Sequence, residues 1–382
     1  MTGLPFPLLE VVVTARPSWA RVRSLIQNYQ QMAGSENCRI SLVGPSLSRR
    51  YGDISNQVPS SIEVKVFPTL RDSDDLGSIA LSNIEGSEAL ARHWTNSRPD
   101  CVLVIADRTE TLGVSSTAAL MQIPLIHLQG GESSGSIDDK VRDANSKLAD
   151  FHLTTNEITK QYLISIGESE ERIRVVGCPS IDIIKAIMEE NATWDPAELG
   201  GVGPLIKPDS DYGIIMYHPD TLQEEANINW IDCLIEVVAK SDKMWFWFWP
   251  NPDYMTSLIA KKMRSAREAK RLDHVRFIIN TSPDTFAKLA IRAKVLVGNS
   301  SFGIRESSFL GLPVINIGNR QKNRQRGPNV KDLQIPSTKE LLIALESINV
   351  EKYPSSYIYG VGSSGFLGAR AIQDWQPSIK NQ

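Results

Sequence analysis

Short β-branched runs separated by longer amphipathic stretches recur along the whole chain, and this alternation constrains the fold more than any other feature. One series of candidate strands comprises Leu9–Val13, Arg39–Val43, Glu63–Phe67, Cys101–Ile105, Leu125–Leu128 and Ile173–Val176. A second comprises Gly213–Tyr217, Met244–Phe248, Val275–Ile279, Val295–Val297 and Val314–Ile317. Helical patterns such as Trp19–Gln31, Gly113–Met121, Ile158–Ile166 and Asn229–Ser241 lie between them. Such alternation predicts an α/β fold, with parallel sheets covered by helices on both faces.

A chain of 382 residues suits two domains better than one. Between the two series, "NATWDPAELGGVGPLIKPDSDYG" is rich in Gly, Pro and Asp and reads as a linker. The expected division is residues 1–190, a linker at 191–212, a second domain at 213–357 and a terminal segment at 358–382. A helix near Gly365–Trp375 in that segment can pack back on either domain. Ligands in doubly wound sheets bind beyond the carboxyl ends of strands, so the expected site is a cleft between domains.

The net charge of −3 gives no electrostatic case for nucleic acid or a membrane surface. No apolar run approaches the roughly 18 residues of a membrane span. The opening "MTGLPFPLLEVVVTARPS" lacks a basic n-region and reads as a first strand rather than a signal peptide, so a cytoplasmic location is expected. The four cysteines are widely spaced and form no CxxC pair, which predicts free thiols.

In the second series, "VGNSSFGIRESSFLGLPVINIG" reads as strand, polar loop, helix and strand. Asn299, Ser300 and Ser301 would place backbone N–H groups at a helix N-terminus, a natural anion site. Just beyond, Arg320, Gln321, Lys322, Arg324 and Arg326 crowd one loop, and Arg forks suit phosphate. Glu306 could accept a ribose hydroxyl. A second phosphate-loop candidate is "YGVGSSG" around Gly362, although Gly and Ser before a helix are more often only a cap. His218 follows a strand end and could bind phosphate or act as an acid. In "MWFWFWPNPDYM" the aromatics read as core, leaving Asn251 and Asp253 as the residues of interest. His127 and His152 also read as core.

The first series carries the acidic groups. "ADRTETL" puts Asp107, Arg108 and Glu110 after one strand, and "QGGESSGSIDDKVRDANSKL" puts Glu132, Asp138, Asp139, Arg142 and Lys147 after the next. Carboxylates on adjacent strand ends can perform proton abstraction and return, while Asp138 or Asp139 can equally be a helix cap. No metal-ligand spacing appears. The Asp138/Asp139 pair could touch a divalent cation but does not demand one. No GxGxxG follows the first strand, which argues against a dinucleotide redox cofactor.

"VTARPSWARVRSL", "VIADRTETLGVSSTAALMQIPLIHLQGGESSGSIDDKVRDANSKLADFHLTT", "GCPSID", "YHP", "WPNPD" and "GNSSFGIRE…GLPVINIGNRQKNR" occur in the order of a known family. Jointly they resemble the UDP-N-acetylglucosamine 2-epimerases, particularly the hydrolysing branch. The resemblance spans nearly the whole chain. It implies a GT-B type fold of two Rossmann-like domains around a cleft, with UDP held mainly by the C-terminal one. It implies that Ser300 and Ser301 bind the diphosphate and Glu306 the ribose, with Arg16 and His218 near the phosphates. Arg320 and Gln321 fall at nucleotide contacts. Asp107, Glu132 and Asp138 match catalytic carboxylates, with Asp139 an alternative for the last role. The chain departs from the family pattern at Asp143, where histidine is usual, at Asn145, and at Asn319 and Val361 near the nucleotide loops.

The reaction so implied removes the C2 proton as UDP leaves C1, giving a glucal; water then adds at C1 and a proton returns to C2 from the opposite face. The resemblance assigns the proton transfers to Asp107 and Glu132 in either order. Asp138 would support them and His218 would neutralise the leaving phosphate, in a homodimer needing no redox cofactor. The substrate is UDP-N-acetylglucosamine or a 2,4-diacetamido-6-deoxy relative used for bacterial nonulosonic (sialic-type) acids. Reversible epimerisation, a glycosyltransferase on the same fold and a silent nucleotide-sugar binder are the alternatives.

Overall fold

The computed structural model describes residues 6–48, 53–71, 75–134, 138–197, 199–220, 223–250, 255–334, 336–348 and 352–375. Two compact units emerge. The first comprises residues 1–132, 138–182 and 360–382, and the second residues 133–137 and 183–359.

The first unit contains β1 (Leu9–Val13), α1 (Arg16–Ala33), β2 (Cys38–Val43), β3 (Glu63–Phe67), α2 (Leu76–Asn96), β4 (Cys101–Ile105) and α3 (Thr109–Leu120). It continues through β5 (Leu125–Leu128), α4 (Asp138–Leu148), β6 (Phe151–Thr154), α5 (Glu157–Ser165) and β7 (Ile173–Val175) into α6 (Pro179–Glu190). The strands form one parallel sheet in the order β3-β2-β1-β4-β5-β6-β7. Leu9 of β1 pairs with Cys38 on one side and Cys101 on the other. Both neighbours of β1 are therefore strands reached by crossovers in opposite directions, and the loops after β1 and β4 flank a topological switch point.

The second unit contains β8 (Tyr212–Met216), α7 (Glu224–Ala239), β9 (Met244–Phe248), α8 (Thr256–Glu268), β10 (Val275–Ile278), α9 (Pro283–Arg292) and β11 (Val295–Gly298). After these come α10 (Glu306–Leu310), β12 (Val314–Ile317), β13 (Val330–Leu333) and α11 (Thr338–Glu346). Its order, β10-β9-β8-β11-β12-β13, repeats the winding of the first sheet, with the switch point between β8 and β11. α12 (Ser364–Trp375) returns to the first unit.

Strands buried on both faces explain the continuous apolar runs. Leu9, Val11 and Val13 of β1 enter one core with Trp19, Leu25 and Ile26 of α1, whereas Val12 joins Val102, Val104 and Leu125 in another. The aromatic run on β9 is core as expected. Trp245 and Trp247 join Trp230 and Phe277, and Phe246 packs edge-on against Tyr212 at 5.0 Å.

Four expectations change. The predicted linker is packed structure: Trp194, Leu199 and Ile206 are buried, Val202 bridges antiparallel to Phe277, and Arg276 donates to the Leu199 carbonyl at 2.5 Å. The boundary between units falls inside α6, after Asp182. Two strands, β6 and β13, join the sheets without having been read as strands. The helix after the "GNSS" loop is a 3-10 turn at Ser301–Gly303 followed by the five residues of α10, so little helix dipole is available there.

The terminal helix settles on α1. Gly365 permits the approach, since a Cβ there would lie 2.1 Å from Ser24 Oγ. Asp182 of α6 locks the joint, accepting from the amides of Ser364 at 2.9 Å and Gly365 at 2.6 Å and from Ser24 Oγ at 2.6 Å.

Candidate active site

In the first unit the acidic residues gather around a buried guanidinium. Arg142 on α4 is wholly inaccessible. Its Nη1 donates to the Glu132 carbonyl at 2.5 Å and to Asp139 Oδ1 at 2.6 Å, while Nη2 donates to Asp107 Oδ2. Burial works against its charge, but Asp107, Glu132, Asp139 and Asp138 outweigh that and push its pKa up. A buried cation of this kind persists only when paired and hydrogen-bonded; removing one partner typically costs about 3–5 kcal/mol.

Asp107 sits at the carboxyl end of β4, and Arg21 of α1 approaches its Oδ1 to 3.9 Å from across the switch point. Glu132 ends the loop after β5, and its Oε1 accepts from Thr155 Oγ1 at 3.2 Å, just past β6. Three adjacent strand ends thus supply the group. Each carboxylate has its own partners, which allows the two to differ in protonation and role.

The backbone carrying these residues is unusual. Ala106 and Gln129 lie in the left-handed region at φ 58° and 66°, in mirror positions after β4 and β5. For a residue with a Cβ this costs on the order of 1–3 kcal/mol and persists where surrounding structure over-determines it. Gly131, at φ 76°, continues the turn; a Cβ there would meet the Thr159 carbonyl at 2.3 Å.

Other expected residues fall differently. Arg108 stands at the N-cap position of α3, and its side chain reaches Glu110 at 3.3 Å. Lys147 lies at the far end of α4 from Asp138 and Asp139, and pairs with Glu168 at 2.7 Å. It does not join the group around Arg142. Asp143 accepts from Tyr162 Oη of α5 at 2.8 Å, and burial with this bond raises the Tyr162 pKa to about 12. Asn145 is buried, with Nδ2 donating to Thr111 Oγ1 at 2.7 Å. Arg16 opens α1 after β1, its pKa lowered to about 10 by burial.

In the second unit the loops after β8 and β11 are tied to each other. Asn299 Oδ1 accepts from the His218 amide at 2.8 Å, and Asn299 Nδ2 donates to the His218 carbonyl at 2.7 Å. Asn299 is therefore a brace for the peptide of His218. Asn227 of α7 braces the other side of the same loop, accepting from the Asp220 amide at 2.8 Å and donating to its carbonyl at 2.7 Å. Gln321 Nε2 donates to the Asn299 carbonyl at 2.9 Å, with Arg320 Nη1 3.5 Å from the same oxygen. Ser300 caps the 3-10 turn through the Phe302 amide, Ser301 Oγ accepts from Arg305 Nη2 at 3.1 Å, and Glu306 is buried with its Oε2 3.8 Å from Arg305 Nε.

The basic run narrows. Arg326 binds Asp332 at 3.0 Å and Arg324 binds Gln321, so these two arginines build the loop. The "YGVGSSG" segment is likewise answered from within, because Asp182 occupies the Ser364 and Gly365 amides that an anion would use. Gly362, at φ 80°, serves that turn. Asn251 lies outside the described residues. Among the described residues, no group of three or more His, Cys, Asp or Glu side chains is placed to hold a metal ion.

Sequence reasoning passed over Arg21, Thr155 and Asn227. Arg21 is five residues beyond Arg16 in the same motif, but Thr155 follows the unread strand β6 and carried no signal.

The family model described as UDP-N-acetylglucosamine 2-epimerase matches residues 31–365. The chain belongs to the UDP-N-acetylglucosamine 2-epimerase family. Its placement is in the hydrolysing branch, and it is an enzyme of that kind. It is 30% identical to the GDP/UDP-N,N'-diacetylbacillosamine 2-epimerase (hydrolyzing) of Campylobacter jejuni, over 88% of this chain and 87% of that one. It is 29% identical to the UDP-N,N'-diacetylbacillosamine 2-epimerase (hydrolyzing) of Legionella pneumophila, over 92% of each. The crystal structure of UDP-GlcNAc 2-epimerase from Neisseria meningitidis bound to UDP-GlcNAc superposes with a TM-score of 0.78 at 17% identity, covering 96% of this chain and 100% of that one. That likeness establishes the GT-B class fold of two Rossmann-like units.

Proposed function

We propose that this epimerase hydrolyses UDP-N,N'-diacetylbacillosamine, a 2,4-diacetamido-6-deoxy relative of UDP-N-acetylglucosamine, to the free 2-epimeric sugar and UDP. The observation that carries the chemistry is the buried Arg142 gathering Asp107 and the Glu132 loop at neighbouring strand ends. The choice of sugar is supported by two hydrolysing relatives named for it, each aligned over most of its length.

In this reading one of Asp107 and Glu132 takes the C2 proton while the C1–O bond to UDP breaks and a C1=C2 double bond forms. Water then adds its hydroxyl to C1 and gives its proton to Asp138 or Asp139, while the other residue of the pair, protonated as a carboxylic acid, delivers its proton to C2 from the opposite face. Arg142 fixes both carboxylate loops from behind, and Asp138 or Asp139 assists water. In the second unit, the Asn299–Gly303 loop, Arg320 and His218 hold the diphosphate, with Glu306 on the ribose. Preorganised donors around the leaving diphosphate lower the barrier, since no carbonyl acidifies C2. Free thiols at all four cysteines fit a reducing cytoplasm, and the family resemblance supports a homodimer.

The test is incubation with UDP-N,N'-diacetylbacillosamine or UDP-N-acetylglucosamine in D₂O, followed by proton NMR. The expected result is stoichiometric UDP and free manno-configured sugar deuterated at C2, faster from the diacetamido substrate. Deuterated UDP-sugar without free sugar would replace hydrolysis by reversible epimerisation. Faster turnover of UDP-N-acetylglucosamine would overturn the assigned sugar.

A further inference from the structure

His127 lies in β5, has no accessible surface and touches no position assigned to substrate. Both of its ring nitrogens are nevertheless engaged. Nε2 is 2.9 Å from the Ala106 carbonyl and Nδ1 is 3.0 Å from Ser146 Oγ. A carbonyl only accepts, so Nε2 must carry the hydrogen, and Ser146 must donate to Nδ1. Burial pushes the imidazole pKa down to about 3, which keeps this neutral tautomer across the working pH range.

The Ala106 carbonyl belongs to the left-handed residue immediately before Asp107. The rest of that peptide is pinned too: the Ala106 amide donates to the Leu128 carbonyl at 2.8 Å, and Asn145 Nδ2 lies 3.4 Å from the Ala106 carbonyl. On its other side, the His127–Ser146 pair is the seat of Gly130. A Cβ at Gly130 would stand 2.8 Å from Nδ1 and 2.9 Å from Ser146 Oγ, so only glycine brings the backbone this close on its way to Glu132.

We infer that His127 is a positioning residue for the epimerisation: its Nε2–H holds Ala106 in the turn that aims Asp107 at Arg142, while its Nδ1 edge with Ser146 seats the loop carrying Glu132. One side chain thus sets the relative placement of the two carboxylates. The inference rests on reading Asp107 and Glu132 as the proton-transfer pair.

Three variants test it. His127→Phe keeps the bulk and removes both polar edges, His127→Gln returns an N–H near the Nε2 position, and Ser146→Ala removes the hydrogen that fixes the tautomer. His127→Phe should lower kcat at least tenfold with KM and UDP affinity within twofold of wild type. His127→Gln should recover most of kcat, and Ser146→Ala should show a smaller kcat loss with KM unchanged. A purely structural role would lower the active fraction without this split, and would not be rescued by an amide. A His127→Phe kcat within twofold of wild type, or His127→Gln no better than His127→Phe, overturns the inference.

Crystal structures give a readout independent of turnover. Ala106 should leave positive φ and Asp107 should leave Arg142 in His127→Phe but not in His127→Gln; retention of both features in His127→Phe overturns the inference. A wild-type enzyme inactive on both UDP-sugars would sink the proposed function, and these structures would then decide the positioning role alone.

Discussion

The proton balance of His127 has a consequence for stability as well as for placement. Its folded pKa of about 3 lies below its ordinary value of 6.5, chiefly because burial disfavours the charged ring. As pH falls, the unfolded chain therefore binds the proton first. The stability associated with the neutral ring is intact above about pH 6.5 and declines as pH falls toward 3, by up to about 1.4 kcal/mol per pH unit. His127→Gln lacks this limb. The difference in urea-unfolding free energy between wild type and His127→Gln should accordingly shrink by about 1 kcal/mol between pH 6 and pH 5. A difference independent of pH would mean that the folded ring takes up its proton as readily as the unfolded one. Nothing in "PLIHLQGG" announced this role, because a histidine inside an apolar strand reads as core, and core is what its burial confirms. Its partners, Ala106 and Ser146, are brought to it by neighbouring elements.

At the level of elements, the strands with a full apolar run were legible because both faces are buried, as β1, β4 and β9 show. β6 escaped because four residues with His152 in the middle carry no distinct period. β13 escaped because it is an edge strand whose Lys331 and Asp332 are exposed. The "GSSG" run before α12 had two readings, phosphate loop or cap, and the structure supplies an internal anion, Asp182. Asp182→Ala removes the acceptor for two backbone amides and Ser24 Oγ. It should destabilise the protein by about 2 kcal/mol, the upper range of an N-cap, and speed amide exchange throughout Ser364–Trp375. Urea titration and hydrogen exchange check this. UDP affinity should stay within twofold of wild type; a larger loss would show that the loop around Gly362 touches the nucleotide.

For the molecule as a whole, carboxylates in one unit and the proposed diphosphate loop in the other predict separable effects. Glu132→Gln should abolish turnover while calorimetric UDP affinity stays within twofold of wild type. Equal loss of both would remove Glu132 from proton transfer. By itself the sequence determined two doubly wound units, the strand ends that carry Asp107, Glu132 and Ser301, and the family, since these depend on local periodicity and on residues adjacent in the chain. Only the tertiary structure decided which charges meet. Arg142, one of the charged residues that follow β5, is enclosed by Asp107, Asp139 and the Glu132 backbone; Asn299 braces His218; Lys147 is drawn off to Glu168. Those outcomes depend on parallel strands from distant segments placing their carboxyl ends side by side. Buried polar groups then take whichever partners that packing presents, because leaving them unsatisfied costs more than any local preference.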